Sequence, residues 1–206
     1  MAKDIDVPLV RECLNNFVGD ISQIKSLFDK VQTNYIKECG VNVWNTPAAY
    51  DYMEKLCISF NDYISQFNKF FKEGYTAFLT DANIFFRSQH ASTVEEQEIV
   101  TISDLSVNWE KKEEKFKVPD PGEVESLTKT DLTATVVDIW HLLDDMCNMI
   151  DTACNSGMSD DFCCDDRDNI KSLTGSAQTV AMEYSGKAAE AAANADENVQ
   201  KFRSQK

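Results

Sequence analysis

Residues 41–49 read VNVWNTPAA and stand between two long runs of periodic apolar residues. Gly40, just before them, suits the close of a helix, because glycine takes a left-handed conformation without a Cβ penalty. Thr46 suits an N-cap, its hydroxyl accepting from a free backbone N–H two or three residues on. Pro47 then falls at the first helical position, where a missing N–H costs nothing. Trp44 lies between stop and start, placed to pack across both helix ends. The stretch predicts the bend of a helical hairpin, and the rest of the chain is read outward from it.

Upstream, Val10, Leu14, Phe17, Ile21, Ile24, Phe28, Val31 and Tyr35 are spaced 4, 3, 4, 3, 4, 3, 4. That is a heptad seam, which a strand cannot produce. Asp20, Gln23, Lys25, Asp29 and Lys30 fall off it, while Leu9, Cys13, Leu27 and Ile36 widen it. A helix is expected from about residue 7 to about residue 39, roughly 48 Å long at 1.5 Å per residue. Downstream, Met53, Leu56, Phe60, Tyr63, Phe67 and Phe70 continue at spacings of 3 and 4, followed by Gly74, Phe78, Ala82 and Phe85. Ile64, Phe71 and Tyr75 form a second apolar edge. This helix is expected from about residue 47 to about residue 89, and its aromatic stripe reads as core.

The period fails after His90. VTISDLSVNW alternates weakly like a strand, EKKEEKFK is a solvated charge run, and VPDPG is a turn. Beyond it Leu132, Val136, Ile139, Leu143, Met146 and Ile150 resume the seam, with Thr130 or Asp131 as the expected cap. A final apolar series runs from Ile170 to Phe202 through the alanine-rich KAAEAAANA, a strong helix former that allows close approach of a neighbour. The expected fold is all-α: two tandem antiparallel helical hairpins forming an elongated four-helix bundle, with an irregular or short β linker. The expected partition is a first hairpin at 1–95, a linker at 96–122 and a second hairpin at 123–206.

Only 7 Gly and 4 Pro occur in 206 residues, which favours long helices over a turn-rich β fold. The net charge of −15 repels phosphate backbones and anionic lipid, so nucleic acid is not an expected partner. No run of about 18 apolar residues exists to span a membrane. The N-terminus, MAKDIDVPLV, lacks the pattern of a cleavable signal, so the expected location is the cytoplasm, or outside the cell by a route without such a signal. Seven irregularly spaced Cys fit reduced thiols better than a disulfide framework.

Chemistry has little foothold. His90 and His141 have no metal spacing and no evident partner for general-base work. Cys154, Cys163 and Cys164 gather near the second bend, with Cys147 upstream, but without the paired spacing of a zinc site. Free thiols, a disulfide and a bound metal all stay open there. Asp160, Asp161, Asp165, Asp166 and Asp168 lack the alternate-residue ligands and glycine of a calcium loop, and part of the cluster is expected to cap the last helix. No nucleotide-binding, nucleophile-elbow or zinc-protease motif occurs, and Glu-x-x-His is absent, since Arg87 and Asp138 stand three before the histidines. No catalytic residue, metal or cofactor is expected.

The segment VWNTPAAYDYMEKL (43–56) resembles the bend of the WXG family of small helical-hairpin proteins exported by type VII secretion systems of Gram-positive bacteria. Trp44 matches the family's Trp, while Thr46 stands where its Gly is expected. The helix that follows is similar in its aromatics, Tyr50, Phe60 and Phe67. The resemblance covers about residues 5–90; the second half matches only in plan. The Tyr-x-x-x-acid export signal of some members is not matched, since Ala188 follows Tyr184 at the fourth place. The resemblance implies a non-enzymatic binding protein, secreted or secretion-associated, that acts through helix–helix contacts with a helical protein partner, another secretion substrate or a second copy. Trp44, Thr46, Pro47, Tyr50 and Tyr52 are the expected bend and partner-binding residues, with the aromatics at an exposed tip. The competing expectation is a cytoplasmic structural or adaptor coiled-coil protein unrelated to secretion.

Overall fold

The computed structural model describes residues 4–38, 42–109, 120–158 and 167–204. Gly40, Cys163, Cys164 and the acidic residues 160, 161, 165 and 166 lie outside them, as does the side chain of Asp168. Every regular element among the described residues is helical: α1 (Val7–Lys30), α2 (Pro47–Ser88), α3 (Pro121–Leu127), α4 (Ala134–Ala153) and α5 (Arg167–Ser204). Widened, π-type turns extend the series, among them Cys154–Met158 at the end of α4. One, Val31–Lys37, continues α1, and another, Thr128–Thr133, joins α3 to α4 without a break. Segment 91–109 has no regular structure, so the part of the expected linker that is described before α3 forms no strand.

The heptad reading of α1 holds in full, because all eight seam residues are 1% exposed or less. Asp20 departs from it: this off-seam residue is only 7% exposed, because α1 is covered over more than one stripe. On α2 the buried line runs Phe60, Ile64, Phe67, Phe71, Tyr75, Phe78, Ala82, Phe85, leaving Tyr63 and Phe70 half-buried at its edge. A straight helix drifts against a strict heptad, so the edge expected to be secondary becomes the core. The third helical run starts earlier than its expected cap. Asp120 accepts from Gly122 N at 2.8 Å and Pro121 takes the first helical position, while Thr130 and Asp131 lie inside the widened turn.

The chain divides into two compact units. One comprises Met1–Ile24, Gln66–Thr101 and Trp140–Val180, the other Lys25–Ser65, Ile102–Ile139 and Ala181–Lys206. Each gathers chain from both sides of the 96–122 stretch. In the first unit α1 meets α2 through Phe17 and Phe78, edge to face at 5.5 Å, and through Arg11, whose guanidinium lies 4.4 Å over the Phe86 ring. The same unit ends α2 on a left-handed His90 (φ 54°), with Ala91 N donating to Phe86 O and His90 N to Arg87 O. Both bonds satisfy carbonyls that the last turn leaves open. His90 is therefore a helix terminator.

The first unit also docks the N-terminus on the end of α4. Asp6 caps α1 by accepting from Leu9 N at 2.9 Å, and its own N–H donates to Ser156 O at 2.9 Å. That arrangement depends on Gly157, which has φ +109° and lies where a Cβ would come 3.1 Å from Ile5 Cγ1 and 3.3 Å from the Phe85 ring. Gly157→Ala is expected to destabilise the chain by about 1–3 kcal/mol, through both the left-handed backbone and the crowding. Denaturant unfolding followed by circular dichroism measures this loss, and an unchanged midpoint would contradict it.

Candidate functional site

The bend residues are built into the second unit from the cap outward. Ala49 N donates to Thr46 Oγ1 at 3.1 Å and Tyr50 N to Thr46 O at 3.1 Å, so Thr46 terminates α2 as its spacing predicts. Pro47 follows at the first helical position, half-buried. Trp44 is 0% exposed, Thr46 2% and Tyr52 8%. These three side chains therefore do not form the exposed tip expected of them. A tryptophan between two helix ends fills the space they leave, and here the indole lies 5.5 Å from the Tyr52 ring at 36°. Its Nε1 is buried with no hydrogen-bond partner among the described residues, so Trp44 contributes packing area and not polar contact. Tyr50 is half-buried, edge-on to Trp109 at 6.3 Å.

Behind Trp44 lies a set of hydroxyls for which periodicity gives no signal. Tyr35 Oη is 3.2 Å from Tyr52 Oη and 3.0 Å from Thr128 Oγ1. Tyr52 donates onward to Ala191 O of α5 at 2.8 Å, and Thr128 donates to Val124 O at 2.8 Å. Tyr35 sits in one widened turn and Thr128 in another, and the two turns pack together. Such turns re-aim side chains within an otherwise regular helix. The result is a buried polar link joining four helical segments.

Tyr52 also floors an open groove of about 510 Å³ between the first half of α2 and the last half of α5. Leu56, Phe60 and Ala191 complete the apolar floor, and the small Ala191 leaves room above the α5 backbone. The rim carries both signs, with Asp51 and Lys55 on α2 and Glu190 ion-paired to Lys187 at 2.7 Å on α5. An apolar trough with a polar rim of mixed charge suits a protein side chain better than a small charged metabolite. Of the expected bend residues, Tyr52 alone lines it.

Beside the groove floor, Tyr184 is packed among Phe60 at 4.5 Å, Phe28 at 5.7 Å and Tyr63 at 5.7 Å. Burial raises its phenol well above the ordinary value, and the nearby Cys57 adds to this. Burial likewise pushes the Cys57 thiol up to about 12, so it stays a thiol at neutral pH and is a poor nucleophile. In the first unit burial raises the Asp20 carboxyl to about 6, and the Asp145 charge adds to it. Gln23 donates to Asp20 Oδ1 at 3.3 Å, while Oδ2 is buried with no partner among the described residues. His141 is exposed beside Trp140, and Cys147 and Cys154 are respectively half-buried and buried. Among the described residues no three His, Cys, Asp or Glu side chains are disposed to hold a metal ion.

No family model, curated protein or solved structure matches this chain.

Tyr35→Phe removes the hydroxyl shared between Tyr52 and Thr128, which keep their own bonds to the Ala191 and Val124 carbonyls, so a loss of about 1 kcal/mol is expected. Tyr52→Phe should cost a similar amount, and the double variant less than the sum, because the residues share a bond. Additive losses in chemical denaturation would show that the hydroxyls do not act as a unit. For Asp20 the folded carboxyl, at about 6, holds its proton more tightly than the ordinary 3.8. Its contribution is complete below about pH 4 and is lost as pH rises through about 6. Asp20→Asn is expected to remove this component and to raise stability at pH 8 by about 1 kcal/mol, less than the full shift because solvent screens part of the charge. Parallel pH–stability curves for the two proteins would contradict the assignment.

Proposed function

We propose that this chain is a non-enzymatic helical binding protein of the WXG-like, secretion-associated kind, and that it engages a helical protein partner through helix–helix contacts. We further propose that its helices are arranged as two tandem hairpins closing into a four-helix bundle. The observation that carries the reading is the Trp44 bend: a fully buried tryptophan follows one heptad-patterned helix, and a Thr-Pro cap opens the next. Within the first unit the contacts Arg11–Phe86 and Phe17–Phe78 follow a hairpin's order, the α2 number falling as the α1 number rises, and within the second unit Tyr35 meets Tyr52. The groove floored by Tyr52 and Ala191 supplies a surface suited to a partner helix. The absence of any described helix long and apolar enough to cross a membrane is compatible with export of the folded chain.

Because Trp44 is buried, Trp44→Ala would damage the fold and cannot serve as a binding probe. The groove rim serves instead. Lys55→Glu combined with Asn194→Arg alters two exposed positions and should leave helicity unchanged. The test is fractionation of the source cells, followed by chemical cross-linking of the exported material. The reading predicts full-length chain in the medium, cross-linked to a helical protein, with the rim variant losing the cross-link. Retention of all the protein inside intact cells would overturn the secretion reading and leave a cytoplasmic adaptor.

A further inference from the structure

Segment 92–106 has no regular structure, yet helix side chains grip its backbone at several points. In the first unit Val94 N donates to Asn83 Oδ1 at 2.7 Å and Asn83 Nδ2 donates to Val94 O at 2.8 Å. Gln97 N donates to Tyr75 Oη at 2.8 Å, and Arg11 donates to Ser92 O at 2.7 Å. In the second unit Leu105 N donates to Asn61 Oδ1 at 2.8 Å and Asn61 Nδ2 donates to Leu105 O at 3.0 Å. The next residue is held likewise, Ser106 N to Gln32 Oε1 and Gln32 Nε2 to Ser106 O, both at 2.9 Å.

Three side-chain amides thus each engage the N–H and C=O of a single strap residue. A pair of this kind reads an extended backbone and ignores the side chain, so any extended peptide can satisfy it. Side-chain anchoring is sparse. Of residues 92–106 only Ile102 and Leu105, three apart, are buried. Charge gives the seat a preference. Lys69 and Lys72 of α2 line a recess of about 520 Å³ together with Glu96 and Glu98 of the segment. In a chain of net charge −15, two lysines set against an acidic stretch form a locally complementary surface.

We propose that segment 92–106 is an intramolecular strap occupying a peptide seat in each unit, and that an acidic, extended peptide of a partner protein displaces it. The displacing peptide carries the strap's own chemistry: two apolar anchors three residues apart, with carboxylates before them. This binding mode is independent of the helix–helix mode proposed above, because it uses the amides of Gln32, Asn61 and Asn83 and not the groove at Tyr52. Tethering gives the strap a high effective concentration, so a free peptide competes only when it is abundant or when the strap is weakened.

Hydrogen–deuterium exchange on the full wild-type chain tests the proposal without any variant. The amides of Val94, Gln97, Leu105 and Ser106 are expected to exchange at least about tenfold faster than those in the middle of α2, since the strap opens while the helices stay closed. Excess synthetic peptide ASTVEEQEIVTISDLSV should accelerate them further, while α2 amides stay unchanged. A scrambled peptide of the same composition keeps the backbone but loses the anchor spacing, and should need a higher concentration for the same effect. In a second measurement the same peptide, fluorescently labelled, should bind the full-length Ile102→Asp/Leu105→Asp variant at least about tenfold more tightly than wild type. Adding Asn61→Leu and Asn83→Leu should abolish that gain. Strap amides that exchange only together with α2 would overturn the proposal. So would a helical, strap-released variant that binds no peptide. If that variant does not fold, the wild-type exchange result decides the matter.

Discussion

The indole of Trp44 must be kept out of water, and the second unit is arranged to do so. Its ring lies against Tyr52, and Tyr52 is fixed from behind by Tyr35 and in front by the Ala191 carbonyl. Fully burying a side chain of this size contributes about 1.5–3 kcal/mol or more. The indole N–H, which has no partner among the described residues, subtracts from that gain. Tyr52 and Thr128 donate to backbone carbonyls and share the Tyr35 hydroxyl between them, so the polar link costs little while fixing which helical segments meet. The widened turns that hold Tyr35 and Thr128 follow from this requirement. A regular helix would aim Tyr35 and Thr128 differently, and the extra residue per turn lets both hydroxyls converge.

The same economy of polar groups explains how the irregular segment is held. A stretch with no ladder of its own has N–H and C=O groups that must find partners or water. Asn61, Asn83 and Gln32 supply both kinds of partner from one side chain. The segment can thus lie on helices without being a strand or a helix itself. That arrangement makes the seat a site for backbone recognition.

The helical plan was legible because one burial requirement acts at every seam position. Heptad spacing identified eight core residues of α1, and a Thr-Pro pair identified the start of α2. The start of the third helical run was equally present in the sequence, as Asp120-Pro121. It was obscured because the widened turn at Thr128–Thr133 hides the apolar period between the cap and Leu132. Trp44 lies ahead of the Thr-Pro cap of α2, but its burial is not legible in the spacing. Whether a bend tryptophan faces inward depends on Tyr52 and Tyr35, which periodicity marks only as further apolar positions. The clamping amides were illegible for the opposite reason: Asn61, Asn83 and Gln32 lie among polar residues that a helical pattern assigns to solvent. Asp20 escaped notice in the same way, since its burial comes from covering beyond the seam.

The central claim is that Trp44 is sealed against Tyr52 ahead of the start of α2. Fluorescence of a Trp109→Phe/Trp140→Phe chain, in which Trp44 is the sole tryptophan, tests it most directly. A blue-shifted emission that acrylamide does not quench until the chain unfolds is the predicted result. A red-shifted emission quenched freely in the native protein would place the indole in water and contradict the account.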